Sequence, residues 1–414
     1  MRMLRKCTRI LGGALILSMT LSAQTVTTLF NFGPPGSGSP WNKGPLSEGP
    51  VTVGLQGELY GVTQNGGKWG RGTVYELLPP ASSGEAWTAK VLHSFSGEDG
   101  LNPVFGLVLG PMGSLYGVAY APNGSFEAFE LYPPTGTGSD WLCKVVYEFT
   151  SADSEPAGGL ALGSPLGYGQ SLYGLTRTGI VYRLTPPATA GGAWTRTTLY
   201  TFAGGSAGST PLATLAVGSA GTLFGVTSDG GWIGETPCAT GCGTVFSLTP
   251  PALPGGPWTH QILHAFQPLM GDGYNPQAGV IIGPGGVMYG TTMFGGGSNA
   301  AGTAFSLTAP AVPGTPMTET ILYAFTSTVV YPDTSLVPGP NGMLYGVALQ
   351  DYEQVFELSP PALPGGGWTL STVYSGNESG GAPSNVALGP DGTLYVTTLD
   401  GGAYGYGAVL AVTP

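Results

Sequence analysis

Residues 283–297 read Gly-Pro-Gly-Gly-Val-Met-Tyr-Gly-Thr-Thr-Met-Phe-Gly-Gly-Gly, and variants of this stretch recur along the chain. Its centre is Leu-Tyr-Gly or a close variant. Successive copies lie 50 to 65 residues apart. A period of this size is typical of propellers and solenoids, in which each repeat is one supersecondary unit. The aromatic residues that mark the seven copies are Tyr60, Tyr116, Tyr173, Phe224, Tyr289, Tyr345 and Tyr395.

Each unit contains four short segments with the character of strands. The first is small and apolar, as in Gly279-Val-Ile-Ile-Gly283, and it ends in a turn where proline fixes φ at about −65°. The second holds the Leu-Tyr-Gly mark, and the third alternates, as in Thr244-Val-Phe-Ser-Leu248. Pro-Pro usually ends the third, because proline cannot continue a strand ladder. The fourth runs from an aromatic such as Trp258 to Phe266, so the unit is typical of a propeller blade.

The two ends of the chain distinguish a closed ring from an open stack. Residues 25–32 match the fourth segment, whereas residues 407–412 match the third. The N-terminal strand would therefore complete the last unit and close the ring without an exposed terminal repeat. We predict an all-β, seven-bladed β-propeller with four strands per blade, forming one domain over residues 24–414. The small first segments suit the crowded axis, and an open β-solenoid is the alternative.

The first 23 residues have the form of a secretory signal peptide. Four basic residues precede an apolar run over residues 11–21, and Ser22-Ala23 follows it. We expect cleavage after Ala23, export to a secreted, periplasmic or cell-surface location, and no transmembrane segment afterwards. An uncleaved anchor helix is the alternative, but the run is shorter than the roughly 20 residues that span a bilayer.

Charge is scarce and mainly negative. Only 8% of the residues are charged, and the formal net charge is −11. Nucleic-acid binding requires clusters of Lys or Arg, so we expect no nucleic-acid partner, and binding to anionic lipid is equally disfavoured. Aromatic residues make up 10% of the chain, which indicates a packed core in which the abundant glycine and proline form turns. We expect a monomer.

The run over residues 285–297, followed by Gly302-Thr-Ala-Phe-Ser-Leu-Thr308, resembles the GloVer tandem repeat of secreted bacterial proteins. The stretch from Phe95 that includes Asp99-Gly-Leu-Asn-Pro103 resembles it too. The similarity extends over all seven units. It implies an exported, surface-associated β-propeller, and it supplies no catalytic residues to transfer.

In a propeller of this strand order, the loops between second and third strands share one face with the connections between blades. We call this the loop face. Aromatic and polar residues on its Gly-rich loops suit a glycan, a peptide or a cell-surface protein, because flat rings offer apolar area at low entropic cost. The alternative is that these residues only terminate strands. The candidate ligand-binding residues are Trp69, Arg71, Asp229, Trp232, Phe294, Tyr404 and Tyr406.

The connections between blades also contain potential metal ligands. Asp99-Gly-Leu-Asn102 and Asp272-Gly-Tyr-Asn275, with Asp333, would offer oxygen ligands to Ca²⁺ if they converged at the channel mouth. A hydrolase or lyase with a Ca²⁺-assisted site is accordingly the functional alternative. Asp at these positions equally fits turns in which the carboxylate caps its own backbone. Because no catalytic constellation is evident, the principal hypothesis is a non-catalytic binding protein without a required cofactor.

Histidine and cysteine are rare. His93 and His264 occupy a position that is Tyr in other units, so we expect them to pack as aromatic residues and not to nucleate a zinc site or a catalytic triad. Cys238 and Cys242 lie in the longest Gly-rich loop, and because export permits oxidation we predict a disulfide between them. Metal binding by the two thiols is the alternative. Cys143 remains unpaired on an outer strand.

Overall fold

The computed structural model describes residues 24–33, 49–82, 84–134, 140–163, 170–189, 192–234, 237–253, 255–268, 271–297, 301–309, 317–326, 331–348, 353–363, 365–376 and 380–414. The expected signal peptide, residues 1–23, lies outside them. Seven antiparallel four-stranded sheets form a ring, which confirms the predicted seven-bladed β-propeller. Within the described residues, no helix has the length and apolar character needed to cross a membrane.

The strands in chain order are β1 Thr25–Asn31, β2 Thr52–Val53, β3 Leu59–Thr63, β4 Thr73–Leu78, β5 Thr88–Ser94, β6 Leu101–Leu109, β7 Leu115–Tyr120, β8 Phe126–Tyr132, β9 Leu142–Glu148, β10 Ala161–Leu162, β11 Leu172–Leu175, β12 Ile180–Thr185, β13 Thr195–Thr201, β14 Ser209–Val217, β15 Leu223–Asp229, β16 Thr244–Thr249, β17 Thr259–Ala265, β18 Gly273–Tyr274, β19 Ile281–Ile282, β20 Met288–Thr292, β21 Phe294–Gly295, β22 Thr303–Thr308, β23 Thr318–Ala324, β24 Val337–Pro338, β25 Leu344–Ala348, β26 Gln354–Ser359, β27 Thr369–Ser375, β28 Pro383–Leu388, β29 Leu394–Thr398 and β30 Ala408–Thr413. Short 3₁₀ turns cover Pro111–Gly113, Gly205–Ala207, Pro284–Gly286 and Pro340–Gly342.

Blades 1 to 4 are formed by β2–β5, β6–β9, β10–β13 and β14–β17. Blade 5 contains β19, β20, β22 and β23, and blade 6 contains β24–β27. Blade 7 combines β28, β29 and β30 with β1, which lies antiparallel to β30 with Thr25 opposite Thr413. The N-terminal strand therefore closes the ring as predicted.

The first strand of each blade lies innermost, where neighbouring blades approach most closely. For example, β6 contacts both β2 and β3 of the preceding blade. A Cβ atom on Gly49 would lie only 2.3 Å from the backbone nitrogen of Gly106, and one on Gly158 would lie 2.4 Å from the carbonyl carbon of Ala213. Backbone contact this close accounts for the small residues of the first segment, since a side chain would force the strands apart.

Aromatic residues fill the space between blades. The repeat mark Tyr60 of blade 1 meets Trp141 of blade 2 with ring centroids 6.4 Å apart, and Tyr116 meets Trp194 at 6.0 Å. The Phe that ends an outer strand also packs edge-on against an aromatic of the next blade, as Phe95 does against Phe129. The same contacts recur around the ring, and each of the seven core clusters lies between two neighbouring blades. Further pairs are Tyr173–Trp258, Tyr395–Trp87, Phe149–Tyr182, Phe202–Phe246, Phe266–Phe305, Phe325–Phe356 and Phe32–Tyr75.

Candidate functional site

On the loop face, hydrogen bonds join three blade connections to the preceding blade. The backbone N–H of Asn102 donates to the carbonyl oxygen of Arg71 at 2.7 Å, and its side-chain amide donates to the carbonyl of Gln64 at 2.7 Å. At the equivalent position of blade 5, Asn275 N–H donates to Cys242 O at 2.8 Å. These contacts place the two kinds of loop on one face, as the strand order indicates.

Buried threonines anchor the bases of the loops. In blade 5, the hydroxyls of Thr292 and Thr303 lie 2.8 Å apart, and Thr292 Oγ1 donates to the carbonyl oxygen of Phe294 at 2.9 Å. Both threonines are fully buried, so the hydrogen bonds satisfy hydroxyls that water cannot reach. The arrangement fixes the backbone on which the Phe294 ring is presented. Equivalent pairs are Thr63–Thr73 and Thr227–Thr244.

Three aromatic rings meet on the loop face at blades 5 and 6. Tyr274 and Phe294 lie opposite each other in the two-stranded sheet β18–β21, and their rings stack with centroids 5.4 Å apart and planes at 26°. Tyr331 meets Phe294 edge-on at 5.5 Å. Tyr274 and Phe294 are half-buried, whereas Tyr331 is 38% exposed. We call Tyr274, Phe294 and Tyr331 the aromatic cluster.

Tyr331 has a backbone conformation that is unusual for an aromatic residue. Its φ is +56°, in the left-handed region. The corresponding connections have Asn102 and Asn275 in the same region, with φ of +45° and +58°. Asn tolerates this conformation well, but a bulky aromatic residue rarely adopts it. The left-handed conformation therefore belongs to this position of the repeat, and Tyr331 occupies it with a bulky ring that lies beside Phe294.

Two of the other predicted ligand-binding aromatics are exposed. Trp69 is 55% exposed, with Lys68 Nζ 4.6 Å from its ring centre, and Tyr404 is 52% exposed. Arg71 is also exposed, on the same loop as Trp69. Trp69, Arg71 and Tyr404 thus lie at the surface of blades 1 and 7, where they are available to a ligand.

The remaining predicted residues take part in local packing. Trp232 packs against the core cluster that contains the cysteines of its own loop, and Tyr406 packs against the core beneath blades 7 and 1. The Asp229 carboxylate accepts hydrogen bonds from Ser228 Oγ at 3.0 Å and Thr240 Oγ1 at 2.7 Å. For Trp232, Tyr406 and Asp229, a role in ligand binding stays a prediction.

Cys238 and Cys242 form the predicted disulfide, with their Cα atoms 4.9 Å apart. Both residues are fully buried in the loop that joins β15 to β16. Cys242 N–H donates to Trp232 O at 3.1 Å, which joins the crosslinked end of the loop to the Trp232 backbone. The disulfide is consistent with an oxidising, extracytoplasmic environment. Cys143 is a free, half-buried cysteine.

The residues predicted to bind calcium lie in separate blade connections. Asp99 accepts hydrogen bonds from Ser96 N and Oγ at 2.8 and 2.7 Å, and Asp272 accepts one from Gln267 N at 2.9 Å. Asn275 donates to Ser228 O at 3.3 Å, much as Asn102 donates to Gln64 O. Burial raises the pKa of Asp333 to about 6. Calcium binding by Asp99, Asn102, Asp272 and Asn275 stays a prediction.

These units define the family. The sequence profile of the Gloeobacter/Verrucomicrobia repeat matches residues 129–356, which is more than half of the chain. The chain belongs to the Gloeobacter/Verrucomicrobia repeat family. The GloVer resemblance noted in the sequence is thereby confirmed. No curated protein matches the chain by sequence.

Solved structures share the propeller fold with this Gloeobacter/Verrucomicrobia repeat protein. PorZ of Porphyromonas gingivalis, a surface component of the type-IX secretion system, is 10% identical with a TM-score of 0.53, over 88% of this chain and 46% of PorZ. Hydrazine synthase of Kuenenia stuttgartiensis is 16% identical with a TM-score of 0.52, over 86% and 94% of the two chains. A fungal alcohol oxidase of the AA5 family, in complex with copper, is 15% identical with a TM-score of 0.51, over 90% and 75%. At these identities the similarity concerns the fold alone.

The histidines of this repeat protein pack as predicted, but His93 and His264 also contact carboxylates from the blade connections. His93 meets Phe95 edge-on at 4.9 Å, and His264 meets Phe266 at 4.7 Å. His93 Nε2 lies 2.9 Å from Asp99 Oδ2, and His264 Nε2 lies 3.5 Å from Asp272 Oδ2. Burial outweighs Asp99 and lowers the pKa of His93. Burial also opposes protonation of His264, but nearby carboxylates raise its pKa.

Proposed function

We propose that this protein is an exported, non-catalytic binding protein whose loop face holds a glycan. The observation that carries the proposal is the aromatic cluster. Thr292 holds the backbone carbonyl of Phe294, the three rings are partly open to solvent, and Tyr331 presents its ring from a left-handed backbone position. Flat, rigid rings suit the apolar face of a sugar, and they lose little conformational freedom on binding.

Electrostatics also favours a neutral ligand. The chain has few charged residues, and Trp69 and Tyr404 add exposed rings to the loop face at blades 1 and 7. An open depression of about 360 Å³ lies on the same face between blades 1 and 2, where Gln64, Asn102 and Tyr120 contribute polar groups. A chain of sugars could contact more than one of these features, which a single small ligand could not.

The decisive experiment screens the untagged full chain against glycan and peptide arrays and measures the positive ligands by calorimetry. Tyr331→Asn is the sharpest variant, because it removes the ring and introduces the residue that other blades tolerate at this position. We expect at least about tenfold weaker binding, corresponding to about 1.4 kcal/mol. Leu253→Ala is the matched control, since Leu253 is 76% exposed in a loop between third and fourth strands, on the opposite face.

Unchanged glycan affinity in both Tyr331→Asn and a Tyr274→Ala variant would reject the aromatic cluster as the site. Binding of peptides but not of glycans would reject the ligand class while retaining the face. Turnover of esters, lactones or polysaccharides by the purified chain would contradict the non-catalytic assignment and favour the hydrolase or lyase alternative.

A further inference from the structure

A three-residue slot recurs at the outer edge of the interfaces between blades. It combines a ring residue near the end of one outer strand, an aspartate in the connection that follows, and the second residue of the next outer strand. Between blades 2 and 3 these are Tyr147, Asp153 and Arg196. Tyr147 Oη donates to Asp153 Oδ2 at 3.1 Å, and Arg196 Nη1 lies 3.2 Å from Asp153 Oδ1. The guanidinium therefore neutralises the carboxylate.

The corresponding slot between blades 4 and 5 contains His264, Asp272 and Glu319. Here a second carboxylate replaces the arginine, and among the described residues no Lys or Arg pairs with Asp272 or Glu319. Among the residues that the structure describes, the buried atoms His264 Nε2, Asp272 Oδ1 and Glu319 Oε1 have no hydrogen-bond partner. Two buried carboxylates that share a single histidine are costly, because burial and mutual repulsion both oppose ionisation.

The distances in this slot do not fit hydrogen bonds but do fit ligands around a metal ion. His264 Nε2 lies 3.5 Å from Asp272 Oδ2 and 3.5 Å from Glu319 Oε2, beyond the usual range for N–H···O contacts. A tetrahedral zinc site with bonds of 2.0–2.2 Å places its ligand atoms about 3.4 Å apart. The three ligand atoms all lie within 4.8 Å of one another.

We propose that the slot between blades 4 and 5 binds one zinc ion through His264 Nε2 and one carboxylate oxygen each from Asp272 and Glu319. A water molecule would complete the tetrahedron, since the three side chains are 14–18% exposed. The imidazole ligand favours zinc over calcium, which prefers oxygen ligands alone. The ion supplies the positive charge that Arg196 supplies between blades 2 and 3. This inference does not depend on glycan binding.

The slot between blades 1 and 2 provides a contrast within the same chain. Its residues are His93, Asp99 and Cys143. His93 Nε2 approaches Asp99 Oδ2 directly at 2.9 Å, and Ser96 also hydrogen-bonds the same carboxylate. This slot has one carboxylate instead of two, and its histidine lies within hydrogen-bonding distance of that carboxylate, whereas His264 lies 3.5 Å from each of its two carboxylates. We therefore assign zinc to the slot between blades 4 and 5 alone.

Zinc titration of the untagged, chelator-treated full chain tests the proposal. Calorimetry and metal analysis after dialysis should both give one zinc per chain, and Co²⁺ in its place should give the visible absorption of a tetrahedral complex. Two variants use residues that the other blades already have at these positions, His264→Tyr and Glu319→Arg. Each should weaken zinc binding by more than the roughly 100-fold that loss of an outer-shell partner can cause.

His93→Tyr makes the same exchange in the slot between blades 1 and 2, and it should leave both stoichiometry and affinity unchanged. Circular dichroism establishes that each variant is folded, so that a loss of zinc can be attributed to the slot. Absence of zinc binding in the wild-type chain would overturn the proposal. Binding that survives both His264→Tyr and Glu319→Arg, or that disappears in His93→Tyr, would overturn it as well.

Discussion

The interfaces between blades 2 and 3 and between blades 4 and 5 have the same backbone arrangement but opposite electrostatics. In the first, Asp153 accepts a hydrogen bond from the Tyr147 phenol and pairs with the Arg196 guanidinium. Both members of the ion pair are only 11–12% exposed. In the second, His264 faces two carboxylates. The repeat specifies where the three side chains meet, and the residues at those positions determine whether the protein itself supplies the balancing charge.

The largest effect should come from removing the balancing charge between blades 2 and 3. Arg196→Met leaves Asp153 buried without its cation, and the loss of one partner from a buried ion pair typically costs about 3–5 kcal/mol. Urea unfolding measures this cost. The control is Arg177→Met, because Arg177 and Glu155 are 61–63% exposed and an exposed pair contributes less than about 1 kcal/mol. Equal losses in both variants would contradict the electrostatic account.

Glu127 tests whether uncompensated carboxylates also weaken the interface between blades 1 and 2. It is 2% exposed and lies opposite Glu148, with Asp99 nearby, and burial, Glu148 and Asp99 together raise its pKa to about 7. Because its folded pKa exceeds the ordinary value of 4.5, its favourable contribution is complete below pH 4.5 and is lost as the pH rises to about 7.

Glu127→Gln removes this pH dependence. The difference in unfolding free energy between variant and wild type should therefore grow in favour of the variant from pH 4.5 to pH 8, by at most roughly 3 kcal/mol. Comparing two proteins that both contain His93 largely cancels the contribution of that residue. A difference that stays constant over this pH range would show that Glu127 does not titrate as its environment indicates.

The repeated features were predictable from the sequence, and the features that distinguish one interface from another were not. The seven marks and the N-terminal strand predicted the blades and their closure, and Cys238 and Cys242 predicted a disulfide. His264 and Glu319, by contrast, lie 55 positions apart on different blades. Alignment of the seven outer strands would have placed Arg196 and Glu319 in one column. Their contact with an aspartate depends on how neighbouring blades pack, which residue spacing does not reveal.

On the loop face, too, the repeated features were predictable from the sequence and the features of individual loops were not. The repeat predicted which residues lie on Gly-rich loops, and Trp69 and Tyr404 are indeed exposed. It could not show that Trp232 packs beside the disulfide, because both belong to the one loop that departs from the repeat. The contact between Tyr331 and Phe294 could not be predicted, because the two residues are distant in sequence and meet only when neighbouring blades pack.

The disulfide is a further difference in stability between the interface of blades 4 and 5 and that of blades 2 and 3, with a smaller expected effect. Cys242 O accepts a hydrogen bond from Asn275 N, close to Asp272, so the crosslinked loop supports the connection between blades 4 and 5. Replacing Cys238 and Cys242 together by Ser should cost about 2 kcal/mol, because the crosslink closes only a short loop. Reduction of the wild type should have a similar effect in urea unfolding, whereas Cys143→Ser should change little. Insensitivity of the wild type to reductant would contradict this estimate.

The smallest expected effect on stability is that of Glu319→Gln, and zinc should reverse its sign. In zinc-free protein, Glu319→Gln removes one of two buried carboxylates that share a single histidine, so it should stabilise the chain by about 1 kcal/mol where Arg196→Met destabilises it. Zinc reverses the order, because an ion at 100 times its dissociation constant stabilises the wild type by about 2.7 kcal/mol and the variant much less. Thermal unfolding with chelator and with zinc measures both. If Glu319→Gln were less stable than the wild type in chelator, His264 alone would balance the charge of the two carboxylates. The two interfaces would then differ less in charge balance than their residues suggest.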